Sequence, residues 1–122
     1  MPVFQYHCGI ENDEFVKPEQ QRKADFQKAC DRLVAPRLPS GVSVTITRWD
    51  QHHRGDFFHD RYILTDKGGI RLGWGLDRSK RPEETTDVTL LDAGLWSECW
   101  QNFQTHSIVY RHIDSIEVKG IR

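Results

Sequence analysis

The sequence holds no long hydrophobic run. Its longest apolar stretches are a few residues, whereas a bilayer-spanning helix needs about 20. No integral membrane segment is therefore expected. The opening, MPVFQYHCGIENDEF, lacks a basic region followed by an apolar core, so no secretory leader is expected. Cysteine is scarce: Cys8, Cys30 and Cys99 are odd in number, far apart and form no CxxC pair. That argues against a disulfide framework or a zinc site, and for reduced thiols in a cytoplasmic setting. An excess of one charge is missing too. The chain has 17 Lys and Arg against 18 Asp and Glu, a net charge of −1. A strongly basic nucleic-acid-coating protein and an acidic disordered tail are both excluded.

Other signatures are absent. There is no internal repeat or low-complexity run. His52, His53 and His59 with Asp50 or Asp56 do not share one helix at metal-ligand spacing, and read as a solvated polar loop. Gly68-Gly69 and Gly73-Trp74-Gly75 are not followed by a helical pattern, so they form no dinucleotide cradle and read as turn and close strand contact. Neither a metal nor another cofactor is expected.

What is present suits one soluble α/β domain over residues 1–122. Charge is unevenly placed. Residues 48–82 hold eight Lys or Arg against five Asp, a balance of +3, and three of the six histidines. Residues 83–122 balance at −4. The middle of the chain is thus the part suited to an anion.

Residues 2–7 read as a first strand and Gly9–Asp13 as a turn. Pro18 opens a helix, on which Phe26, Ala29, Cys30, Leu33 and Val34 share one face while Arg22, Lys23, Lys28 and Arg32 fall elsewhere. Pro36 and Pro39 end it. Val42, Val44 and Ile46 alternate with polar residues as a half-buried strand. Strand, helix, strand predicts a right-handed crossover between parallel neighbours. Residues 58–65 read as a strand, Asp66–Gly69 as a hairpin turn, 70–74 as the returning arm and 86–91 as another strand. Leu95, Trp96, Cys99, Trp100 and Phe103 form one face of a second helix, and 107–118 supply one or two closing strands. Trp74, Trp96 and Trp100 are expected in the core, and Trp49 is better explained by packing than by stacking on a ligand. The expected architecture is a small mixed β-sheet flanked by helices.

On the 58–65 strand, alternation puts His59, Arg61 and Ile63 on one face. Imidazole beside guanidinium suits a phosphate. The arginine can grip two oxygens, and the histidine can act as nucleophile or proton carrier. Asp66 closes the strand and could orient an imidazole. The plain alternative is a surface His and Arg on an edge strand with an ordinary turn aspartate, and spacing alone does not separate the two.

The run His59-Asp60-Arg61-Tyr62-Ile63-Leu64-Thr65-Asp66 resembles the His-x-Lys-x4-Asp motif of the phospholipase D superfamily, with Arg61 in the lysine place. The family's following Gly-Ser-x-Asn segment is matched at Gly73 only; Trp74 and Leu76 replace the polar residues, and Asp77 lies one position late. A narrower likeness joins His59-Asp60-Arg61, Gly73-Trp74-Gly75-Leu76-Asp77 and Glu84-Thr85-Thr86-Asp87. These segments are similar to the phospholipase D-like C-terminal domain of eukaryotic proteins with microtubule-interacting and trafficking domains. The likeness covers residues 42–91 well and the rest by element order. It implies one half of a phospholipase D fold and, in that branch, a non-catalytic module of a larger system that binds phospholipid. His59, Arg61, Gly73 and Asp77 would hold the phosphodiester of a phospholipid head group or a nucleic-acid backbone. Family enzymes use two motif histidines and no metal. With one motif copy here, catalysis by His59, Arg61 and Asp66 would need a homodimer acting as a metal-independent nuclease or phosphodiesterase. Losing the Lys, Ser and Asn favours binding over turnover.

Overall fold

The computed structural model describes residues 3–10, 12–51, 61–72, 88–104, 107 and 109–122. Strand β1 (Val3–Gly9) leads through a 3-10 turn (Asn12–Val16) into helix α1 (Glu19–Leu33). Pro18 caps α1, where its missing N–H leaves no bond unmade, and the helix gives way to a second 3-10 turn at Ala35–Arg37. Strands β2 (Ser43–Gln51), β3 (Arg61–Thr65), β4 (Gly68–Leu72) and β5 (Val88–Leu90) follow. Then come helix α2 (Ala93–Asn102) and strand β6 (Tyr110–Lys119). The Asp92 carboxylate caps α2 by accepting from the Leu95 N–H at 2.8 Å.

The six strands form one mixed sheet in the order β5-β4-β3-β1-β2-β6. β1 and β2 are parallel, as the strand-helix-strand pattern predicts, and every other pair is antiparallel. Three boundaries differ from the sequence expectation. β2 runs on to Gln51, because Arg48 and Trp49 are buried on opposite faces and keep the strand paired. The residues after 107 give one long strand. The hairpin turn is Asp66-Lys67 alone, with Gly68 and Gly69 already paired in β4. A Cβ on Gly69 would lie 2.5 Å from the Leu64 side chain and 2.9 Å from the Ile63 carbonyl oxygen, so this is close strand contact as well as turn.

Each face carries its own cluster. On one, Cys30 of α1 packs with Cys8, Ile46, Ile116 and Val118, with Tyr6, Phe26 and Val34 beside them. The strand register sets an apolar row along this face: Ile116, Ile46, Tyr6, Ile63, Ile70 and Leu90, one from each strand. On the other face, Trp49, Leu64, Leu91 and Phe103 pack with Trp96, Cys99 and Trp100. Trp49, only 1% exposed, is core as expected. Leu95 points outward, as does Leu33 of α1, because the buried stripe of each helix is narrower than its apolar pattern.

Arg22 corrects the reading of α1. It lies one turn before Phe26 on the inward face, and is buried because an acid waits there. Arg48 of β2 grips Asp114 of β6 with two bonds, 2.8 and 2.6 Å, and its guanidinium lies 3.9 Å over the Phe26 ring. Arg22 approaches the same carboxylate at 4.0 Å, and Glu14 approaches Arg48 at 3.6 Å. Burying these groups carries a desolvation cost that their mutual contacts must offset. Asp114→Ala, which takes from Arg48 its two hydrogen bonds and from buried Arg22 its nearby acid, should therefore cost about 3–5 kcal/mol in a denaturant melt. Asp50→Ala, which breaks the more exposed Arg111–Asp50 pair (2.8 Å), should cost under about 1 kcal/mol.

Candidate functional site

The first residue of β3 is Arg61, and β3 is an interior strand between β1 and β4. The edge-strand alternative therefore does not apply. Arg61 is half-buried. Its face is set by register: Ile63, two residues on, pairs with Tyr6 of β1. Arg61 lies near enough to Cys8 for its charge to act on the thiol.

Beside Arg61 the sheet and α1 part to leave a cavity of about 460 Å³. Phe26, Cys30 and Val34 of α1 form one wall, and Phe4, Tyr6 and Ile63 stand on the sheet. Among the described residues, Arg61 is the single charged one of the lining. The cavity exists because α1 packs chiefly against β6, at one side of the sheet, rather than over its centre.

The cysteines at this cavity are not nucleophiles. Burial pushes the Cys8 thiol up to about 11, against the opposing pull of Arg61 and Arg48. Burial raises Cys30 likewise. Both are free and protonated at neutral pH.

Asp66 is not brought beside Arg61. It sits exposed in the β3–β4 turn, at the far end of a strand whose five-residue rise spans roughly 17 Å. His59, Gly73 and Asp77 lie outside the described residues, as do Asp60, Trp74, Leu76 and the segment Glu84 to Asp87. The polar-loop histidines His52 and His53 do too. Among the described residues, no group of three or more His, Cys, Asp or Glu is placed to hold a metal ion.

The opposite face holds a histidine pair that sequence reasoning did not single out. Trp49 donates its indole N–H to Nδ1 of His7 at 3.0 Å. His7 Nδ1 is thus the acceptor, so Nε2 carries the proton and donates to the Gln5 side-chain oxygen at 3.0 Å. The His7 ring stacks on Phe103 with centroids 4.3 Å apart. His112 stands edge-on to Trp49 and bonds the Ser115 hydroxyl at 3.0 Å. His7 is 2% exposed, which bars it from any substrate and makes it a packing residue. Strand parity placed it opposite Tyr6 and Cys8, but only a sheet covered on both faces buries both sets.

No protein-family model, no curated protein and no solved structure matches the chain. The likeness to the phospholipase D superfamily accordingly rests on the motif residues themselves.

The buried histidines make folding depend on pH. Burial first, then the neighbouring His112, holds His7 down to about 4 from an ordinary value near 6.5. The unfolded chain therefore takes up a proton between those values that the folded chain refuses. Stability should be full above pH 6.5 and fall by about 3 kcal/mol as pH drops to 4, since each pH unit in that window is worth about 1.4 kcal/mol. Burial lowers His112 as well, which adds loss of the same sign. Urea melts from pH 7 to pH 4 should trace that decline, and His7→Asn should flatten it.

Proposed function

We propose that this chain is a phospholipase D-like domain that binds a phosphodiester group through Arg61, with His59 and the Gly73 to Asp77 segment contributing, and that it binds without turnover. The observation that carries this reading is the position of Arg61. It is a half-buried guanidinium on an interior strand, and among the described residues the one charged residue of an apolar cavity. Arginine keeps its charge when partly desolvated, and a guanidinium holds two phosphate oxygens at once. In such surroundings its attraction for an anion is less screened than at an open surface.

The element order supports the same reading. A strand, a crossover helix and a parallel strand precede the hairpin that carries His-x-Arg-x4-Asp. The departures support binding over chemistry. Arg61 has a different shape from the lysine it replaces, and Trp74 and Leu76 cannot make the hydrogen bonds of Ser and Asn to a transferring phosphoryl group. The separation of Asp66 from Arg61 weakens the catalytic set further.

The test uses anionic phospholipid vesicles and short labelled DNA and RNA, all in EDTA. Binding should weaken as salt rises, and Arg61→Ala should lower affinity about tenfold or more while leaving the circular dichroism spectrum unchanged. Unchanged affinity in that variant overturns the site. Cleavage in EDTA that disappears in His59→Ala would replace this reading with the homodimeric phosphodiesterase.

A further inference from the structure

We propose that α2 together with Phe103 is an acid-released flap, closed over the sheet by the stacking of Phe103 on neutral His7 and opened when His7 takes up a proton. The seat of α2 is light. None of its ten residues is buried, whereas α1 buries Arg22 and Cys30. The residue that packs into the cluster is Phe103, just past the last turn and 6% exposed. Its ring lies nearly parallel to His7, with the planes 9° apart, and stacks on Tyr110 at 5.5 Å. It meets Trp49 at 5.6 Å and Tyr62 at 5.2 Å. The Trp96 indole adds a hydrogen bond to the Thr65 carbonyl oxygen at 2.9 Å.

That seat needs a neutral imidazole. Trp49 donates to Nδ1 and Nε2 donates to Gln5, so both ring nitrogens are committed. A second proton goes on Nδ1 and sets two N–H donors face to face across 3.0 Å. It also places a charge among aromatic rings, out of reach of water. Among the described residues, the groups around His7 are Gln5 of its own strand, Thr47 and Trp49 of β2, Tyr62 of β3, Phe103, and Tyr110 and His112 of β6. The charge that acts on it is that of His112, which opposes protonation. His112 in turn feels Asp114 and Lys23, with opposite signs.

The proton therefore enters only if something yields. His7 and Trp49 belong to β1 and β2, interior strands paired on both sides. Phe103 hangs from a helix with no buried residue. α2 is the element free to lift, and lifting it lets water and space reach the imidazole. The open form takes up its proton from about pH 6.5 downward, while the closed form refuses it to about pH 4. Acid thus favours opening, by up to about tenfold per pH unit within that window.

The experiment is amide hydrogen exchange on the full chain from pH 7 to pH 4, read by NMR and corrected for the chemical rate at each pH. The amides of Trp96 to Phe103 should open more readily than those of Phe26 to Cys30 in α1. Their opening should rise up to about tenfold per pH unit below 6.5 and level off near 4. His7→Asn, which still offers Trp49 an acceptor and cannot take the proton, should remove that slope. Trp49→Phe, which removes the donor facing Nδ1, is the second variant should the first not fold. It should make the slope level off about one pH unit higher. Opening of the α2 amides that ignores pH is ordinary fraying and overturns the flap. Protection equal to that of α1 at every pH means that the two open only together, and overturns it as well. A slope that survives His7→Asn assigns the proton to another group and overturns the role of His7. So does a slope removed by His112→Gln, or by His106→Asn at a position outside the described residues.

Discussion

A sheet has two faces, and each must be covered by something. Six strands at about 4.8 Å spacing span roughly 24 Å from first to last, whereas a helix with its side chains is about 10 Å wide. Among the described residues, α1 is the helix on its face, and it lies at the β6 side. It can close the sheet over β6, β2 and part of β1 and no more. The apolar row from Ile116 to Leu90 records the consequence. Ile116 and Ile46 are buried under the helix, and Leu90 at the far edge is exposed. The cavity is the border between the two regimes, where the helix no longer reaches the strands and the strands are still apolar.

What holds α1 to that side is ionic as well as apolar. Arg48 and Asp114 pair across β2 and β6, and Arg22 reaches the same carboxylate from the helix. Moving α1 toward the centre of the sheet would pull Arg22 from its acid and Phe26 from beneath the Arg48 guanidinium. The contact also resolves the uneven charge of the sequence. Arg48 belongs to the positive middle segment and Asp114 to the negative tail, and the fold brings them together. Part of the charge that suggested an anion site is thus neutralised inside the protein.

The mixed sheet, both helices, the parallel pair and the core tryptophans Trp49, Trp96 and Trp100 were legible, because hydrophobic period and proline placement are local signals. Arg22 was not. Its burial depends on Asp114, more than ninety positions away in the chain. His7 was hidden for a related reason: alternation marks two faces, and nothing local says that both are covered. For the candidate site, the motif drew attention to Arg61, which the structure places half-buried on an interior strand. It could not give the cavity, which follows from where α1 sits. Nor could it separate Asp66 from Arg61, since motif spacing along a strand reads as proximity when it is a distance of about 17 Å.

Arg48 and Arg61 stand on the same face, and both act on the thiol of Cys8 on the strand between them. Their difference is positional. Arg48 is one strand from β6, within reach of Asp114, and two hydrogen bonds fix it there. Arg61 is three strands from β6, about 14 Å away by strand spacing, so that carboxylate cannot serve it. One arginine thereby becomes part of the scaffold, shielded by Phe26 and α1. The other lines the cavity at the edge of the helix's cover. Where each guanidinium sits is thus decided by how far the helix extends across the sheet.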